Sequence, residues 1–110
     1  MNAENRPISP MQVSLTEWRP LRRNTLLGFA SVRVGALMIH DVTLHAASGK
    51  RWTGLPAKPR LAPDGTAMRD DRGKILYTPV IAWTNRETAD RFSNAVIAAV
   101  DREHPGDADG

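Results

Sequence analysis

Over residues 37–46 the chain alternates in character. Met38, His40, Val42, Leu44 and Ala46 fall on one side of an extended segment, and Leu37, Ile39, Asp41, Thr43 and His45 on the other. A period of two predicts a strand with one well-buried face. Ser48-Gly49 predicts a sharp turn into a short returning segment that carries Trp52. Pro56 and Pro59 then end the ladder, because proline has no N–H to donate. Upstream, Val13 and Leu15 alternate and lead to Trp18 in a first short strand, and Arg19-Pro20-Leu21-Arg22-Arg23-Asn24 reads as a basic connection. A second strand over 26–34 sets Ala30, Val32 and Val34 against Leu27, Phe29, Ser31 and Arg33. Gly28 within it predicts a bulge or a close backbone approach. Gly35 supplies the positive φ that a tight hairpin into the next strand requires. A last strand is expected over 75–83, with Ile75, Tyr77, Ile81 and Trp83 on one face and Pro79 marking an edge or bulge.

Only one stretch has helical spacing. Thr84-Asn85-Arg86-Glu87 reads as a capping box, with Thr84 as N-cap and Glu87 reaching back. Ala89, Phe92, Val96, Ala99 and Val100 then form a stripe over a helix that runs to about Asp101, and His104-Pro105-Gly106 stops it. Residues 59–74 hold the turn signals Pro63-Asp64-Gly65 and Asp71-Arg72-Gly73 without apolar spacing, which predicts an exposed, mobile loop. Strands followed by one C-terminal helix define an α+β domain, with an antiparallel sheet of four to five strands. Residues 13–101 form the domain, 1–12 a flexible arm and 102–110 a disordered acidic tail. A single helix covers part of one sheet face, so the remaining apolar surface or a sheet edge predicts a homodimer.

Composition narrows the class. The 110 residues suit one domain, 41% of them are apolar, and there is no cysteine for a disulfide or a thiolate metal site. No apolar run reaches the length of a membrane span, so the expected location is the cytoplasm. The net charge of +3 is unevenly spread. Arg19, Arg22, Arg23, Arg33, Lys50, Arg51, Lys58, Arg60, Arg69, Arg72 and Lys74 face only Glu17, Asp41, Asp64, Asp70 and Asp71, and the balance turns acidic after Asn85. A basic body predicts a polyanionic partner, the plain alternative being a solvated surface.

Catalytic chemistry finds no foothold. His40 and His45 are five apart on a strand and point to opposite faces, so they cannot share a metal; His104 lies in the tail. Asp64, Asp70 and Asp71 would hold Mg²⁺ for a nuclease only if they converged, and their sequence context is that of turns. There is no glycine-rich phosphate loop and no G-x-S-x-G elbow. The expectation is a protein without catalytic residues, cofactor, metal or small-molecule substrate. Trp18, Trp52 and Trp83 either fill a core or interface or, as Trp52 next to Arg51 allows, stack on a base.

A resemblance supplies the rest. Leu37-Met38-Ile39-His40-Asp41-Val42 resembles the L-V-I-H-D-I-like strand of the bacterial stage V sporulation protein G (SpoVG) septation-regulator family. Gly49 with Trp52, Leu55-Pro56-Ala57-Lys58-Pro59, Pro63-Asp64-Gly65, Tyr77-Thr78-Pro79-Val80 and Asn85-Arg86-Glu87 follow in that family's order, with Ala57 where a serine is usual. The resemblance implies a small α+β regulator that dimerises through its strands and binds DNA or RNA. By position, Lys58 and Arg60 in the proline-flanked loop are the candidate contacts. Charge alone adds Arg22, Arg23, Lys50 and Arg51. The rivals are a protein-binding adaptor that uses the same sheet edge, and the nuclease.

Overall fold

The computed structural model describes residues 11–109; most of the expected N-terminal arm, residues 1–10, lies outside them. Strands β1 (Ser14–Arg23), β2 (Leu26–Val34), β3 (Leu37–Ala47) and β4 (Lys50–Gly54) form one antiparallel sheet in the order β1-β2-β3-β4. β5 (Ala57–Pro59) and β6 (Tyr77–Pro79) pair separately, and α1 (Arg86–Glu103) follows. This is the α+β architecture that the periodicities predict.

Turn chemistry sets the meander. Ser48 and Gly49 have φ of 52° and 77°, the paired positive values of a hairpin whose twist matches its strands. Asn24 (φ 55°) and Gly35 (φ 60°) begin the other two turns. The stretch expected as a basic connection is the second half of β1. Pro20 is accommodated there because β1 is an edge strand, where a missing N–H costs the sheet nothing on its open side.

The regular alternation read for the third strand breaks at a bulge. Ala30 lies opposite Val42 and Val32 opposite Ile39, so His40 and Asp41 together face Ser31. Asp41 takes the extra turn with φ 57°, a conformation that aspartate tolerates. One inserted residue moves the following side chains to the other face. Ile39, Val42 and Leu44 are therefore buried together, while Met38 and His40 are exposed. A second shift between Leu26 and Gly28 brings Leu27 into the same core as Ala30 and Val32. Gly28 is the close approach that its sequence context suggests. A Cβ there would stand 2.6 Å from both the Arg19 carbonyl oxygen and the Trp18 ring.

The helix crosses the sheet beside β4 and β1, burying Phe92, Val96, Ile97, Ala99 and Val100 against Trp18, Leu27, Ala30, Val32, Ile39, Val42 and Leu44. Its N-cap is Asn85, one residue after the expected Thr84, and Asn85 Oδ1 accepts from the Thr88 N–H at 2.8 Å. The helix continues through Arg102 and Glu103, and the next residues fold back onto the sheet. Trp18 Nε1 donates to Asp107 Oδ2 at 3.0 Å, and Ala108 is fully buried. A disordered tail from residue 102 is thus corrected to a docked segment over 104–109, held by an indole N–H that would otherwise lack an acceptor.

The expected mobile loop is also ordered in its hydrogen bonding. Beyond β5 and β6 the backbone closes a three-way junction: Arg60 N–H to Leu76 O, Met68 N–H to Arg60 O, and Leu76 N–H to Met68 O, each 2.8–2.9 Å. Three hairpins meet there. One is the β5–β6 stem; the other two turn at Asp64-Gly65 and at Asp71-Arg72-Gly73. The last strand expected in the main sheet is therefore only β6 on this arm, because Pro79 ends its pairing before the chain runs on to the helix. With the arm extended, the molecule measures 56 × 34 × 27 Å.

Candidate nucleic-acid interface

The six cations singled out by sequence separate into two groups. Lys58 and Arg60 are exposed on the arm, Lys58 opposite Thr78 in the stem and Arg60 with its backbone in the junction. Arg69, Arg72 and Lys74 extend the same arm; the sequence showed their charge but not the hairpin that presents them. Two of the arm's three aspartates accept hydrogen bonds within its turns. Asp64 Oδ1 accepts from Thr66 N and Thr66 Oγ1 at 3.0 and 2.7 Å, and these bonds hold its carboxyl below the usual pKa. Asp70 Oδ1 accepts from the N–H groups of Arg72 and Lys74, both at 2.9 Å. Asp64 and Asp70 close different hairpins, and among the described residues no three His, Cys, Asp or Glu side chains gather as metal ligands.

The second group surrounds the C-terminal segment. Arg22 donates to Gly106 O and Asp107 O at 3.4 and 3.2 Å. Arg51 Nη1 meets both Asp101 carboxylate oxygens at 2.8 and 3.0 Å and also Ala108 O at 3.3 Å. Both guanidiniums are committed within the chain. Lys50 and Arg23 remain exposed at the same end of the sheet. Arg51 and Lys50 border a recess of about 420 Å³ with Asp101, Pro105 and Gly106.

The tryptophans divide. Trp18 is core, and Trp83 packs on Phe92 with ring centres 5.1 Å apart and its Nε1 buried without a partner. Trp52 is 39% exposed and lies flat on His45, centroids 5.4 Å apart and planes 8° from parallel. His45 Nδ1 and Thr25 Oγ1 are hydrogen-bonded at 3.0 Å, and burial pushes the imidazole pKa below its ordinary value. His40 Nδ1 bonds Ser31 Oγ at 3.1 Å, a structural role that sequence left open.

Two concavities flank the base of the arm. On the helix side, a cleft of about 460 Å³ is lined by Trp52, Pro56, Tyr77, Pro79, Trp83 and Arg86, among others. On the sheet face away from the helix, a furrow of about 810 Å³ runs between Arg19, Phe29, Asp41, Thr43 and His45 and the arm residues Leu55, Pro56, Ala57 and Tyr77. Arg19 spans it, with its guanidinium 5.4 Å over the Phe29 ring and 2.7 Å from Asp41 Oδ1. The alternation of strand residues hid this furrow, because it depends on where the arm leaves β4.

The chain matches no family model, no curated protein and no solved structure. No helix among the described residues is long and apolar enough to cross a membrane.

Proposed function

We propose that this protein is a non-enzymatic regulator that binds DNA or RNA through the phosphate backbone, as a cytoplasmic homodimer of SpoVG-like type. The observation that carries the reading is the arm. It exposes Lys58, Arg60, Arg72 and Lys74, with Arg69 donating to Gly73 O at 2.8 Å, while two of its three aspartates are taken up by turn N–H groups. Exposed cations along such a ribbon displace the counterions condensed on a phosphate backbone. Dimerisation has a place to occur: β4 covers only Thr43–Ala47 of β3, leaving residues 37–42 as an open edge with Leu37 and Met38 exposed.

A gel-shift titration with DNA and RNA at two salt concentrations tests this reading. Lys58→Ala with Arg60→Ala should weaken binding to unrelated sequences and flatten the log–log salt slope by about one unit per lost contact. Arg23→Ala with Lys50→Ala is the fitting comparison, because Arg22 and Arg51 hold the C-terminal segment. An adaptor is the second reading, favoured by the apolar cleft and by Val80 and Leu61 at 64% and 61% exposure. Failure of the unmodified protein to bind either nucleic acid at low salt would leave the adaptor in possession. Light scattering at tens of micromolar should give a dimer mass, and a monomer would remove that part of the proposal.

A further inference from the structure

We infer that the furrow on the helix-free face receives unpaired nucleobases, so that the ligand is a single strand and not a duplex. The inference rests on the nucleic-acid reading above and names its substrate class. The chain has six Phe, Trp and Tyr residues. Trp18, Trp83 and Phe92 lie on the helix side, in the core or against it. Of the other three, Phe29 and Tyr77 line the furrow, and Trp52, which also borders the helix-side cleft, stacks on the furrow residue His45. Tyr77 is 56% exposed, so its ring is accessible to a ligand in the furrow. The Trp52–His45 stack extends the same surface, and a neutral imidazole keeps that stack uncharged near pH 7.

The charge pattern assigns bases and phosphates to different places. Within the furrow Arg19 is paired with Asp41 and flanked by Glu17, which stands 3.6 Å from its guanidinium. Such a setting repels a phosphate but offers an acceptor, a donor and the Thr43 hydroxyl to a base edge. Cations without such pairing share its sheet face or belong to the arm. Strand alternation places Arg33 and Lys50 on this same face, and Lys58 and Arg60 belong to the arm that forms the wall. Bases stacked on rings with phosphates on surrounding cations is how single strands are held; a duplex hides its base faces.

The test is tryptophan fluorescence of the full chain, titrated at low salt with a twelve-nucleotide single strand, as DNA and as RNA, and with the matching duplex. The single strand should bind about tenfold more tightly and quench the emission, and Trp52→Leu should remove most of the quench. Tyr77→Ala should weaken single-strand binding about tenfold without changing duplex binding; Tyr77→Phe, which keeps the ring, should restore it. Thermal melts of each variant confirm the fold. Equal affinity for single strand and duplex, or an indifferent Tyr77→Ala, would overturn the base-stacking inference and leave phosphate binding by the arm intact. No binding by either form would overturn both.

Discussion

Single residues fix the packing at two points where ordinary propensities would have chosen otherwise. Gly28 is required by what lies above it. In Gly28→Ala the methyl group would meet the Arg19 carbonyl and the Trp18 ring at 2.6 Å, so ring and strand must separate. Overpacking of this kind costs about 1–3 kcal/mol, and a denaturant melt should show a loss in that range. A smaller change than about 0.5 kcal/mol would mean that Trp18 is free to shift. His45 gives a pH dependence. Its folded-state pKa is lowered by burial, so the unfolded chain binds the proton more readily. Stability from this residue is complete above about pH 6.5 and declines as pH falls through the lower folded-state value. Because Trp52 lies on the ring, tryptophan emission should report the titration with a midpoint below 6.5, and His45→Gln should abolish it. A midpoint above 6.5 would show that the stacked indole stabilises the cation more than burial opposes it.

At the scale of elements, strand order and the helix were legible because turn residues and periodicity are local. Ser48-Gly49, Gly35 and the 92/96/99/100 stripe announce themselves. The phase of β3 was not legible, since Asp41 bulges only against a partner strand that offers Ser31 alone across from two residues. The arm was missed for a similar reason: its hairpins are tied by backbone bonds between residues eight and sixteen apart, with hardly any apolar patterning. Such an element rests on its turns and its ladder. The amides of Arg60, Met68 and Leu76 should therefore exchange with solvent together, and earlier than those of β2. Asp70→Ala removes the acceptor for two N–H groups and should speed exchange in the last hairpin while leaving the global melt unchanged. If the global melt falls as well, the arm is not a separate cooperative unit.

The whole molecule is less compact than its length suggests. Its radius of gyration is 16.1 Å, against about 13 Å for a rounded chain of this size. The body is closed by the segment that composition made look expendable. Asp107 accepts from Trp18 on edge strand β1, Ala108 is buried in the core, Arg22 donates to the Gly106 and Asp107 carbonyls, and Arg51 donates to that of Ala108. Ending the chain after Glu103 should lower stability by roughly 2 kcal/mol, since a charged hydrogen bond to a buried indole is lost. Trp18 emission should shift to the red. An unchanged melt would show that the segment rests on the surface without supporting it. The candidate interface was legible in part for the same reason of scale. Sequence can count the cations, but only the assembled molecule shows Arg22 and Arg51 turned to internal carbonyls and carboxylates while Lys58 and Arg60 stay free.

The three-way junction makes the arm modular in length. Arg60 and Met68 occupy equivalent places, each bonded to Leu76 across the ladder, and the two outer hairpins repeat the same turn bonds eight residues apart: Ala62 with Gly65 and Thr66, then Asp70 with Gly73 and Lys74. Excising Leu61 through Met68 would join Arg60 directly to Arg69, with Leu76, Ile75 and Lys74 still opposite in sequence. The remaining chain can zip into one uninterrupted hairpin. The branch is thus an eight-residue unit whose removal would shorten the arm without altering the register of the stem or of the sheet from which it grows.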